Sequence, residues 1–160
     1  MNLAHLHLLL NHVPTVGFGC GIGLMVASLV RGSADLRRAS YMLFFGIALV
    51  AIPAYLSGNA ADYVLRTGRE LPRDVVTAHQ NAAMLALIPM EIVGLVSWLA
   101  LWRLRRWHQP AILALSIVTF VLMARAANIG GQIGHPEILV AGTAAYAPAW
   151  PSPEIGRAHV

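Results

Sequence analysis

A chain of 160 residues in which 58% are hydrophobic and only 11% charged excludes an ordinary soluble domain, where about a quarter of residues carry charge. Its mean hydropathy of +0.65, concentrated in four long apolar runs, places it in a bilayer instead. The formal charge of +4 and isoelectric point near 10.0 would suit a nucleic-acid binder; but all eleven basic side chains are arginine, most of them flank the apolar runs as topology signals do, and nucleic acid is excluded as a partner.

Residues 2–11 are apolar, with His5 and His7 interleaved, and either extend the first span outward or lie along the interface. No basic residue precedes them and no small-residue cleavage site follows, so a cleaved signal peptide is not expected. The first span covers about 12–30. Crossing roughly 30 Å of hydrocarbon takes about 20 helical residues. Backbone polar groups in lipid must be satisfied within helices or closed barrels, and these runs are too long and continuous for barrel strands. Pro14 is tolerated if the helix starts near His12 and kinks it if the helix starts near Asn2. Gly17, Gly19, Gly21 and Gly23 interleave two small-xxx-small pairs, Gly17/Gly21 and Gly19/Gly23, which admit a second helix, or a flat macrocycle, close to the backbone. Cys20 is the single cysteine; it excludes an intramolecular disulfide and reads as a small core residue.

Arg31, Arg37 and Arg38 fill the next short loop. The second span, about 40–57, is expected to end at Ile52-Pro53-Ala54-Tyr55. An outer loop over 58–74 follows, with room for a short amphipathic helix over 60–67. Asp74, after Pro72, reads as the N-cap of the third span, 76–102,. That span runs through Trp98 and Trp102, which suit a headgroup belt, to Arg103, Arg105 and Arg106. The fourth span covers 111–130, and Gly130-Gly131 either stops it or lets another group approach closely,. Residues 141–160 form a Pro/Ala-rich extended tail, loose or laid on a partner through Tyr146 and Trp150,. No repeat strong enough to use is visible. Residues 1–140 are thus expected to form an all-α integral membrane four-helix bundle. The two arginine-rich loops share one side, cytoplasmic by the positive-inside tendency, which puts both termini outside a bacterial inner membrane.

At about 1.5 Å per helical residue, His12 lies roughly 28 Å outward from Arg31, and His79 roughly 36 Å outward from Arg103. His135 follows the fourth span by a few residues. Three histidines from separate helices therefore share one depth near the outer interface. Imidazole suits haem iron, copper and zinc, and helix bundles build haem sites between facing helices. His12 with His79 is the first candidate pair, and His79 with His135 the second. Interfacial histidines with their polar edges in water are the alternative. Arg125, in the outer half of the fourth span, needs an anionic partner or a route to the interface. A haem propionate, Glu137 or an outer-loop carboxylate would serve. Glu91 falls near mid-bilayer, where an ionisable group is costly; it is either a proton-relay member or a neutral acid bonded to a neighbouring helix. His5 and His7 form an H-x-H pair that diverges on a helix, leaving His5 and His12 on one face. Copper or zinc binding through His5, His7 and His12 is a further option. No nucleophile elbow, phosphate loop or H-E-x-x-H zinc motif is present.

The segments Leu10-Asn11-His12-Val13-Pro14, Ala78-His79-Gln80 and Asn128-Ile129-Gly130-Gly131-Gln132-Ile133-Gly134-His135-Pro136-Glu137 resemble a group of small bacterial four-helix membrane proteins of uncharacterised function. That group has an Asn-His-x-Pro start, a His-Glu opening the third helix and an ending similar to Asn-x-Gly-Gly-x-Ile-x-His-x-Glu. The resemblance implies a shared site at His12, His79 and His135. Here Gln80 replaces the acidic neighbour and Gly134 stands where a basic residue is expected. Sequence alone thus points to an electron-transfer protein with a b-type haem near the periplasmic face. It would be a subunit of a respiratory or photosynthetic membrane complex, with a periplasmic cytochrome or a quinone as partner. A cofactor-free assembly subunit and a copper or zinc protein are the rival expectations.

Overall fold

The computed structural model describes residues 3–68, 73–102 and 108–134. They form five helices and, among the described residues, no strand: α1 (Leu3–Leu10), α2 (Val13–Arg31), α3 (Ala34–Gly68), α4 (Arg73–Trp102) and α5 (His108–Gly134). The expected tail over 141–160, His135 and Glu137 lie outside the described residues. α2 packs on α3, α3 on α4, α4 on α5, and α5 returns to α2, closing a ring of four; the short α1 lies on α3. Four helices, counting α1 with α2, are long and apolar enough to cross a membrane. No more than 39% of any such span is buried within the chain, and many large apolar side chains, among them Val16, Val30, Met42, Leu56, Leu95 and Val121, are exposed where lipid would cover them.

The tight turn between α2 and α3 follows from three residues. Gly32 adopts φ 63°, and its N–H donates to the Ser28 carbonyl. The Ser33 N–H reaches the same carbonyl at 3.1 Å. Only glycine takes this left-handed turn without a Cβ penalty. Ser33 then caps α3, its Oγ accepting the Leu36 N–H at 3.3 Å, with Asp35 in the first turn against the positive end of the helix dipole. The loop expected around Arg31, Arg37 and Arg38 is therefore two residues long, and Arg37 and Arg38 belong to α3.

Three boundaries differ from expectation at the opposite end. α3 does not stop near 57, just past Pro53, but continues to Gly68. Within a bundle, a proline's missing N–H is tolerated because neighbouring groups compensate the freed carbonyl. The continuation also places Ala54, Ser57 and Ala61, all buried, on α3 beneath α1. Asp74 is not the N-cap of α4 but sits within its first turn, one residue after Arg73. α5 likewise runs through Gly130 and Gly131 to Gly134. Cys20 is exposed rather than in the core.

The core lies toward the Gly32 end, around Phe18, Met25, Tyr41, Phe44, Val93 and Ile112. Gly17 and Gly21 face α3: a Cβ at Gly17 would overlap Ile47, and one at Gly21 would stand 2.6 Å from Phe44. These two glycines thus admit a helix, whereas Gly19 faces Phe120 of α5 and Gly23 faces open space. Buried hydroxyls knit the ring. Ser40 donates to the Gly21 carbonyl at 2.8 Å. Gln109 Nε2 donates at 3.0 Å to Ser28 Oγ, which donates on to the Met25 carbonyl at 2.7 Å. Ser28→Ala strands the Gln109 amide in an apolar core and is expected to cost about 1 kcal/mol. Ser28→Ala with Gln109→Leu should recover most of that loss, as a melting experiment in detergent would register.

Candidate functional site

Two histidines hold matching positions on different helices. His79, in the second turn of α4, reaches across to α5, where its Nδ1 lies 2.9 Å from the Ala126 carbonyl. His7, on α1, reaches α3, with Nδ1 2.9 Å from the Ala54 carbonyl. A carbonyl only accepts, so Nδ1 carries the proton in both rings and donates it. In the neutral imidazole this leaves Nε2 with a free lone pair. Ser57 Oγ also donates to the Ala54 carbonyl, at 3.0 Å, and lies 3.4 Å from His7 Nδ1.

A glycine makes room for each ring. A Cβ at Gly130 would stand 2.8 Å from His79 Cε1 and 3.0 Å from its Nδ1, and one at Gly58 would stand 3.2 Å from His7 Cε1. Of the two roles expected for Gly130, close approach is therefore the one the fold uses. The clasp is local chemistry read across a helix pair: a carbonyl at one position, and a bare backbone one turn later where the ring lies.

Both histidines line a cavity of about 610 Å³ at the end of the bundle away from Gly32. Its walls come from α1 to α5 and are rich in alanine and glycine, with Ala51, Ala83, Ala86 and Ala127 among them. Met90 and Met123 also line it; Met90 is about 16 Å along α4 from His79. Ligand cavities of roughly 300–1,000 Å³ with apolar walls and few polar groups are the common pattern.

The expected site residues divide as follows. His12 lines the cavity, but it is exposed, at the turn between α1 and α2. Its carbonyl accepts the Val16 N–H at 3.1 Å. His79 lines the cavity; His135 and Glu137 lie outside the described residues. Arg125 is exposed and is not among the lining residues. The cavity stripe of α5 runs through Met123, Ala126, Ala127 and Gly130, spacings of three and four that exclude position 125. His5, also exposed, is not among the lining residues although His7 is. No group of three His, Cys, Asp or Glu able to hold a metal ion occurs among the described residues, so the three-histidine copper or zinc site at His5, His7 and His12 has no support. Glu91 follows Met90 but does not line the cavity; its Oε1 is buried without a hydrogen-bond partner among the described residues.

Sequence reasoning underrated His7 and overlooked Tyr55, Asn59 and Asp62, all of which line the cavity from α3. The signal was present in the run Ala51, Ala54, Tyr55, Gly58, Asn59, Asp62, a stripe at helical spacing. Its far end was obscured by ending the span near 57. Searches against family models, curated proteins and solved structures return no match for this chain.

Proposed function

We propose that this chain is an electron-transfer subunit of a bacterial inner-membrane complex. It would hold a b-type haem at the end of the bundle that the arginine pattern assigns to the periplasm. The observation that carries the reading is the clasp at His79. A metal-ligating histidine almost always donates its other ring N–H to a carbonyl or carboxylate, which fixes tautomer and orientation; the Ala126 carbonyl does so here.

The residues fit this group. Iron in a macrocycle already has four nitrogen ligands and needs only one or two axial imidazoles, whereas a bare zinc ion needs about four protein donors. Clasped histidines on separate helices, with no group of three metal-ligating residues among those described, match the first need and not the second. The alanine- and glycine-rich walls leave largely apolar space between helices. Haem bound here would supply one-electron transfer. The chain itself orients the imidazoles through Ala54 and Ala126, excludes water with its apolar walls, and keeps the site near one membrane face. There a quinone in the bilayer and a periplasmic cytochrome both come within reach.

A reduced-minus-oxidised absorption spectrum of the detergent-purified protein tests this. The wild type is expected to give a b-type signal and His79→Ala to give a weaker, altered one. A folded wild type without haem absorbance, even after haemin is supplied, would overturn the reading and leave a cofactor-free assembly subunit as the better account.

A further inference from the structure

The two clasps are one device used twice. His79 lies 72 residues after His7, Ala126 the same distance after Ala54, and Gly130 after Gly58. The coincidence extends well beyond identical residues. Of the 26 residues that line the cavity, 22 fall into eleven pairs at this single offset, among them Asn11 with Ala83 and Pro14 with Ala86. Yet only seven of the sixty positions aligned between 3–62 and 75–134 are identical, so the correspondence shows in which positions face the cavity rather than in the sequence. The α1–α3 hairpin and the α4–α5 hairpin therefore present equivalent faces to one space. Parallel repeats of this kind are related by an axis along the membrane normal, and ligand sites form where the repeats meet.

We infer that the cavity is a pseudo-two-fold cradle in which His7 and His79 act as a pair, each offering Nε2 to the metal of one planar macrocycle. This rests on the haem reading above and names its ligands. A pseudo-two-fold operation that maps one hairpin onto the other also maps one imidazole onto the other. A flat ligand on that axis then meets an equivalent donor from each half. His12 has no such mate: 72 residues on stands Met84, which is 42% exposed and not a lining residue. The backbone also treats the two candidates differently, since His7 is clasped to a carbonyl and His12 has no side-chain capping bond.

Haemin titrated into the detergent-purified full chain, read by electron paramagnetic resonance and visible bands, distinguishes the pairs. The wild type should give a six-coordinate low-spin spectrum. His7→Ala and His79→Ala should each turn high-spin and return to low-spin on adding free imidazole. His12→Ala should stay low-spin. His7→Gln, which keeps an N–H for the Ala54 carbonyl but has no ring nitrogen, should match His7→Ala and guards against a folding artefact. A low-spin His7→Ala beside a high-spin His12→Ala would overturn the pairing and leave the haem reading standing. So would a high-spin wild type that His7→Ala does not alter. A folded wild type that takes up no haemin would overturn both.

Discussion

Under the haem reading, Gly130→Val is expected to weaken haemin binding while the bundle stays folded. A Cβ at this position would stand 2.8 Å from His79 Cε1, and a valine adds two methyl groups beyond it. The ring cannot stay beside Gly130 and keep its 2.9 Å bond to the Ala126 carbonyl. Once displaced, it loses both the bond that fixes its tautomer and its aim into the cavity. Changes to the groups that orient metal ligands typically cost ten- to a hundredfold in affinity, and losing the ligand's position costs at least that. Haemin affinity should therefore fall at least about tenfold, equivalent to about 1.4 kcal/mol. Gly23→Ala, where a Cβ meets nothing within 4 Å, is the matched control and should bind as the wild type does. Unchanged haemin binding in Gly130→Val would remove His79 from the site.

The largest loss of stability is expected from Phe44→Ala. Phe44 is fully buried, its ring 4.8 Å from Phe18 at a 52° tilt. It also fills the groove that Gly21 leaves open, lying where a Cβ would stand 2.6 Å from it. In water-soluble cores such a truncation costs about 3–5 kcal/mol. Part of that is transfer from water, a term that weakens when the unfolded helices remain in lipid. The packing and void terms remain, so about 2–3 kcal/mol is expected here. Gly21→Val attacks the same contact from the other side by overpacking, at about 1–3 kcal/mol. Combining Gly21→Ala with Phe44→Leu should cost less than the sum of the two changes, because the added methyl enters space the ring has left. Thermal or denaturant unfolding in detergent checks all three; strict additivity would show that the two residues do not share a groove.

The four spans were readable because hydropathy and length depend on composition alone. Gly32 and the arginines around it mark one end of the bundle in the chain's own chemistry. The other end was less legible, since local rules give way there to packing. Pro53 and Gly130 normally interrupt helices, yet α3 and α5 run through them. Ending the second span near 57 placed Asn59 and Asp62 in a loop. His7 was not legible because its contact with Ala54 depends on the lateral placement of α1 on α3. His79 was identified from depth alone, while its bond to Ala126 needed the lateral placement of α5. Arg125 illustrates the converse: its depth was right for the site, but its position around the helix was not.

The 72-residue correspondence bears on Glu91, whose counterpart in the first hairpin is Gly19. A homodimer of identical hairpins would have to duplicate every position, including a carboxyl at bilayer depth in each copy, where a single one is already costly. Joining both hairpins in one polypeptide lifts that constraint. The clasps are kept alike around the shared axis, while the flanks diverge: one half carries the acid and Trp98, the other carries glycine and valine at the equivalent places. A single chain carrying both hairpins thus lets a symmetric cradle sit inside an asymmetric protein, with two distinguishable sides.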